Sequence, residues 1–142
     1  MTDMQAQLGL CQLEELDWIL ARRRELSERY SAAIAHMPAL EPPYEPDYAV
    51  RTWQSYCVRL TGYSPIGRTD LMRALLHDGI PTRRGVMTIH EEPAYADANV
   101  SLPHSEAAAR DVIILPLFPD MTEQQQDYVL DRLTSHLVAQ AA

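Results

Sequence analysis

Four prolines, Pro38, Pro42, Pro43 and Pro46, crowd one short stretch of this chain and divide it into two parts that must fold by different rules. Proline lacks an amide hydrogen and fixes φ, so the segment from Pro38 to Val50 can hold neither a helix nor a central strand. It is predicted to be a surface connector. Before it the pattern is helical: Leu8, Leu13, Leu16, Leu20, Leu26, Tyr30 and Ile34 recur near a period of 3.6. Thr2-Asp3-Met4-Gln5 matches a capping box, which starts this helix almost at residue 1. Gly9 costs about 1 kcal/mol relative to alanine inside a helix, which points to close packing there or to a bend near Gln12 to Glu15. Arg22, Arg23 and Arg24 read as a solvated face whose stems cover apolar neighbours, and Glu25 and Arg29 have the spacing of an i,i+4 pair.

After the connector the period changes. Tyr56, Val58 and Leu60 alternate with polar or small residues, so Trp53 to Leu60 is predicted to be a half-buried strand. Thr69 to Asp78 reads as a short helix, with Thr69 as candidate cap and Gly79 placed for the left-handed position beyond its end. Ile80 to Arg83 reads as a short strand, and Pro81 makes it an edge or a strand start. Residues 84 to 101 show no steady period and are expected to form an ordered loop. Ser105 to Arg110 is predicted helical, with Ser105 as a cap or first-turn residue. Val112 to Leu115 is a buried β-branched run stopped by Pro116 and Pro119. Thr122-Glu123-Gln124-Gln125 repeats the capping box and opens a closing amphipathic helix on Val129, Leu133 and Leu137.

A chain of 142 residues fits one domain with one core. Its net charge of −8, with acids spread along the sequence, disfavours nucleic-acid binding. Cys11 and Cys57 lie in apolar periodic segments and are expected to be buried, reduced thiols. With no leader-like opening and no apolar run of membrane-spanning length, a cytoplasmic protein is expected. All twelve basic residues are arginine, and none is lysine. Guanidinium stays protonated and clamps anions, whereas an amine can lose its proton and attack a carbonyl.

Few constellations offer chemistry. Arg83-Arg84 at a strand end could fork onto a phosphate or carboxylate, or could pair with acids of the adjoining loop. His90 in His90-Glu91-Glu92 could donate to a substrate hydroxyl or phosphate. No HExxH spacing surrounds it, so no metal site is expected, and the glycines form neither GxGxxG nor a Walker loop. His104, Ser105 and Glu106 are sequence neighbours rather than a converging triad.

Taken in order, the residues resemble the DegT-type nucleotide-sugar aminotransferases, a branch of the aspartate-aminotransferase fold. The resemblance is carried by Thr2 to Asp17 with Arg23-Arg24 and Tyr30, Gly79-Ile80-Pro81-Thr82-Arg83, His90 with Pro93 and Tyr95, Leu102-Pro103 with Ser105-Glu106, Leu115-Pro116-Leu117 and Met121-Thr122. It implies an α+β fold, a long N-terminal helix followed by a small, mostly antiparallel sheet covered by helices, as in the C-terminal small domain of such enzymes. It also implies pyridoxal phosphate held by a lysine-bearing large domain, homodimerisation, and a sugar nucleotide near the dimer interface. His90 falls at a family position near the substrate, with Arg83 and Arg84 on the same loop. Gln7 and Gln54 depart from the family's usual residues.

Met1 aligns beyond the family's cofactor-binding half, so residues 1–142 are expected to form the small domain without the large one. Without lysine, no cofactor is expected on this chain alone, nor any catalytic residue. The expected partners are a lysine-bearing large domain or a homologous chain, with neither nucleic acid nor membrane. Two alternatives remain open from the residues: a non-catalytic interaction module, and a small independent enzyme using His90 with Arg83 and Arg84.

Overall fold

The computed structural model describes residues 1–98 and 100–138. Helix α1 (Asp3–Glu14) is capped as expected: the Thr2 hydroxyl accepts from the Gln5 amide at 3.3 Å, and Gln5 Oε1 accepts from the Thr2 amide at 2.9 Å. The helical pattern breaks at Glu15 and resumes as α2 (Leu16–Ile34). A β-carbon on Gly9 would meet nothing within 4 Å, so of the two readings of that glycine the bend is the one realised.

Helix α1 buries no residue. Leu8, Leu13 and Leu16 are exposed, and the inward face begins only at Leu26, Tyr30 and Ile34 of α2. Cys11 is exposed for the same reason, against expectation, while Cys57 is half-buried.

The proline segment contributes a two-residue edge strand, β1 (Leu40–Glu41), a place where missing amides cost no ladder bonds. Strand β2 (Tyr56–Leu60) pairs with β1 and with β4 (Val112–Leu115), and β3 (Arg83–Arg84) lies on the far side of β4. The order is β1-β2-β4-β3, and every pairing is antiparallel. Tyr56 opposes Leu115 and Val58 opposes Ile113, which sets four buried side chains on one face. Against them lie Leu71 and Leu75 of α3 (Arg68–His77) and Val129, Leu133 and Leu137 of α5 (Glu123–Val138). On the opposite face Cys57 and Ile114 are half-buried and Arg59 is exposed. The α+β class and the antiparallel sheet are as expected.

Local chemistry explains the boundaries. Helix α3 ends in a Schellman motif: Gly79 has φ +79°, its amide donates to Leu76 O at 3.0 Å, and the Ile80 amide donates to Leu75 O at 2.8 Å. Ile80 is spent on that cap and Pro81 has no amide, so the strand expected from Ile80 forms only at Arg83–Arg84, where Ile114 and Ile113 are opposite. The cap of α3 is Gly67 rather than Thr69. Residues 84 to 101 hold the end of β3 and two short 3-10 turns, Ile89–Glu91 and Pro93–Ala98. Helix α4 (Pro103–Asp111) starts two residues before Ser105, because Pro103 suits the first turn and the Glu106 carboxylate accepts from the Leu102 amide at 2.7 Å. Thr122 and Gln125 form the second capping box, as predicted.

The arginine run does more than face solvent. Arg22 donates to Met121 O at 2.8 Å, Arg23 to Trp53 O at 3.2 Å and Arg24 to Arg51 O at 3.3 Å, so three consecutive guanidiniums pin two separate segments, one before α5 and one before β2, to α2. Glu25 pairs with Arg22, and Arg29 turns instead to Asp127 at 2.6 Å. The ends of α3 and α5 are joined by His136 Nε2 and Asp78 Oδ2 at 2.7 Å.

That hydrogen bond, aided by the nearby Arg132 and His77, holds the Asp78 carboxyl below its ordinary value of 3.8. A depressed carboxyl stabilises the fold above its unfolded value and loses that contribution as pH falls toward the folded one. Asp78→Asn should therefore lower the urea midpoint at about pH 6, and the gap to the parent should close as pH drops below about 4. A gap that stays constant with pH would dismiss this linkage.

Candidate functional site

Arg83 and Arg84 are adjacent on a strand, and successive side chains of a strand leave by opposite faces. The register makes this concrete: Arg83 opposes half-buried Ile114, and Arg84 opposes buried Ile113 on the helix-covered face. The two guanidiniums are therefore not one clamp. Both are exposed, and among the described residues neither makes an ion pair or a side-chain hydrogen bond, so pairing with the acids of the adjoining loop is not what holds them.

Arg84 lines a cleft of about 240 Å³ with Arg68, Arg110, Glu91, Glu92 and Glu106. Three cations and three carboxylates share that small space. His90 is beneath it: its side chain is 10% exposed, Nε2 lies 3.1 Å from Glu106 Oε1, and Nδ1 is buried without a partner among the described residues. The Leu102 amide and His90 hold the Glu106 carboxyl below its usual range, so it is an anion at neutral pH. With Glu106 as acceptor, Nε2 is the donor of this bond. His90 thus ties the loop to α4 and steadies Glu106, which is the group that reaches the cleft.

Arg83 lines a different cleft, of about 420 Å³, bounded by Gln54, Ser55, Thr82, Ile114, Leu117 and Phe118. Among the described residues no carboxylate borders it. Gln54 and Ser55 are set there by Trp53, whose φ of 51° turns the chain in the left-handed region before β2 begins. Such a backbone costs about 1–3 kcal/mol and persists only when its surroundings hold it. Here Arg23 donates to the Trp53 carbonyl, the Arg51 guanidinium lies 5.4 Å from the indole centroid, and the ring packs 6.0 Å from Tyr56.

The structure thus separates the three residues expected from the sequence. It adds Glu106 beside His90 and Arg84, and Gln54 with Ser55 beside Arg83. For Gln54 the signal was its departure from the family pattern. For Glu106 the signals were its place near a helix start and its part in the family pattern, and neither pointed to the cleft.

A small antiparallel sheet with helices α2, α3 and α5 against it is shared with solved aminotransferases. The aminotransferase TlmJ from Streptoalloteichus hindustanus is 28% identical with a TM-score of 0.87, over 96% of this chain and 37% of that one. DesV from S. venezuelae, solved with a ketimine intermediate, is 29% identical with a TM-score of 0.84, over 98% of this chain and 37% of that one. The putative sugar aminotransferase Spr1654 from Streptococcus pneumoniae, 24% identical, shares the fold at a TM-score of 0.88 over 98% of this chain and 36% of that one. Residues 1–134 match the model of the DegT/DnrJ/EryC1/StrS aminotransferase family, and the chain belongs to that family. It spans little more than a third of the length of these solved relatives. Among the described residues no helix is long and apolar enough to cross a membrane.

Proposed function

We propose that residues 1–142 act as the C-terminal small domain of a cytoplasmic sugar aminotransferase, which moves an amino group from an amino acid to a keto-sugar nucleotide. The family match over residues 1–134 carries this reading. The cofactor of the complete enzyme is pyridoxal phosphate, and the residues present here do not fit it. Its aldehyde needs a primary amine on a side chain, and this chain has twelve arginines and no lysine. A lysine-bearing large domain supplies that group, and this chain alone is inactive.

The share of this chain lies on the substrate side. Arg83 faces one cleft, while Arg84, with His90 acting through Glu106, faces the other. Exposed Leu8, Leu13, Leu16 and Trp18 on α1 and early α2 fit a surface that docks on the large domain or on a second protomer of a homodimer.

Mixing this chain with a lysine-bearing large domain of the same family tests the reading. The mixture should develop the absorbance of bound cofactor and transfer amino groups to a keto-sugar nucleotide, while this chain alone should do neither. Amino transfer by the purified chain alone would overturn it. Co-purification with a full-length family enzyme, without gain in activity, would favour a non-catalytic interaction module instead.

A further inference from the structure

We propose that the cleft between the end of α3 and the first turns of α5 binds a small uncharged ring compound with an amide edge, the pattern of an aromatic carboxamide. It lies outside the two clefts placed on the substrate side, and its chemistry is independent of amino transfer. Its size, its uncharged and rigid walls and one unspent carboxamide carry the assignment.

The cleft measures about 560 Å³, larger than those at Arg83 and Arg84 and within the range of about 300 to 1,000 Å³ common for small-molecule sites. Ile80, Met121 and Val129 line it and are buried, so its bottom is apolar. Pro81, Pro116 and Phe118 form a wall shared with the cleft at Arg83. Among the described residues no carboxylate, guanidinium or imidazole lines it, in a chain where 23% of residues are charged. Asp78, next to the lining Gly79, turns its carboxylate to His136 instead. A charged guest would give up hydration here and meet no counter-ion, so the occupant is uncharged.

The walls are held before any guest arrives. Gly79 and Ile80 are locked in the Schellman cap, and the two prolines fix their own φ. The Tyr128 hydroxyl donates to Asp78 O at 3.0 Å, which ties its ring to the end of α3. The capping box holds Thr122 and Gln125. A preformed cleft spares the ordering cost that weakens binding. Phe118 and Tyr128 stay exposed there and offer aromatic surface to a second ring.

Polar matching selects the amide. Gln125 spends its carbonyl oxygen on the Thr122 amide, whereas the Gln124 carboxamide makes no side-chain hydrogen bond among the described residues. A carboxamide presents an N–H and a C=O side by side, and the edge that answers both at once is another amide. A hydrocarbon leaves that edge unanswered, and a carboxylate offers no donor.

The test uses the full chain and benzamide, followed by NMR shifts of backbone amides and side-chain carboxamides. Saturable shifts at Ile80, Met121, Gln124, Gln125 and Tyr128, with the Gln124 side-chain NH2 among them, are expected, with a dissociation constant on the order of several millimolar. Benzoate carries the same ring on a carboxylate and should bind at those residues at least about tenfold more weakly. Gln124→Ala should weaken benzamide about three- to tenfold, and Phe118→Ala, which takes a ring from the wall, about threefold or more. Tyr63→Ala removes an exposed ring from a loop outside the cleft and should leave binding unchanged. Dispersed spectra of the three variants report that they fold. Benzamide that gives no saturable shifts, or that shifts Gln54, Ser55 and Arg83 instead, would overturn the proposal. So would benzoate binding as tightly at the same residues, or benzamide affinity left intact by Gln124→Ala and Phe118→Ala. No companion domain enters this readout, so the aminotransferase reading and this site stand or fall separately.

Discussion

Replacing Tyr30 by alanine is expected to lower folding stability by about 3–5 kcal/mol, a large part of the 5–15 kcal/mol typical of a whole domain. Tyr30 is fully buried and stacks on Tyr56 with centroids 5.0 Å apart. Its hydroxyl donates to Pro116 O at 3.0 Å, which ties α2 to the chain just past β4. Truncation would empty a ring-sized volume between helix and sheet and strand the Pro116 carbonyl. Tyr30→Phe keeps the packing and loses the hydrogen bond, so it should cost only about 1 kcal/mol. Urea denaturation of the three proteins measures the order. Near-parental stability of Tyr30→Ala would show that the α2-to-sheet contact is not the centre of this core. Burial also pushes the Tyr56 phenol up to about 12, so its hydroxyl stays protonated beside Ser31 at neutral pH.

Such a centre was partly visible in the sequence. Leu26, Tyr30 and Ile34 kept helical spacing, Tyr56, Val58 and Leu60 alternated, and all six are buried. The same periodic argument failed for Leu8, Leu13 and Leu16, because a hydrophobic pattern says that a face needs a cover and not which chain provides it. The capping boxes and Gly79 were legible because they are written in adjacent residues. The backbone bonds of Arg22, Arg23 and Arg24 span far longer stretches of chain, and no local pattern announces them.

The candidate site divides along the same line. Arg83, Arg84 and His90 stood out by residue type, but their grouping on one loop suggested a shared ligand that strand alternation forbids. Once β3 pairs with β4, Arg83 and Arg84 must face opposite ways, and His90 falls under the loop against Glu106, a residue sixteen positions on. Which face each guanidinium takes depends on where β3 starts, and Pro81 with the Schellman cap fixes that start beyond what residue types could indicate.

If the edge strand positions the arginines, the contact that seats it should be measurable, and Gly85 supplies the means. Its amide donates to Val112 O at 3.3 Å, and a β-carbon there would lie 2.2 Å from Val112 Cγ1 and 2.9 Å from Val112 Cβ. Neither atom sits at the end of a flexible side chain, since valine is branched at its β-carbon and stiff about χ1. Gly85→Ala must therefore push β3 away from β4, at a cost of about 1–3 kcal/mol for overpacking. Val112→Ala removes the obstructing methyl groups, so the double variant should be more stable than the sum of the two single losses predicts. Urea unfolding of the parent, both single variants and the double variant closes this cycle. Strictly additive losses would mean that β3 does not lie against Val112, and the opposite facing of Arg83 and Arg84, which follows from that pairing, would fall with it.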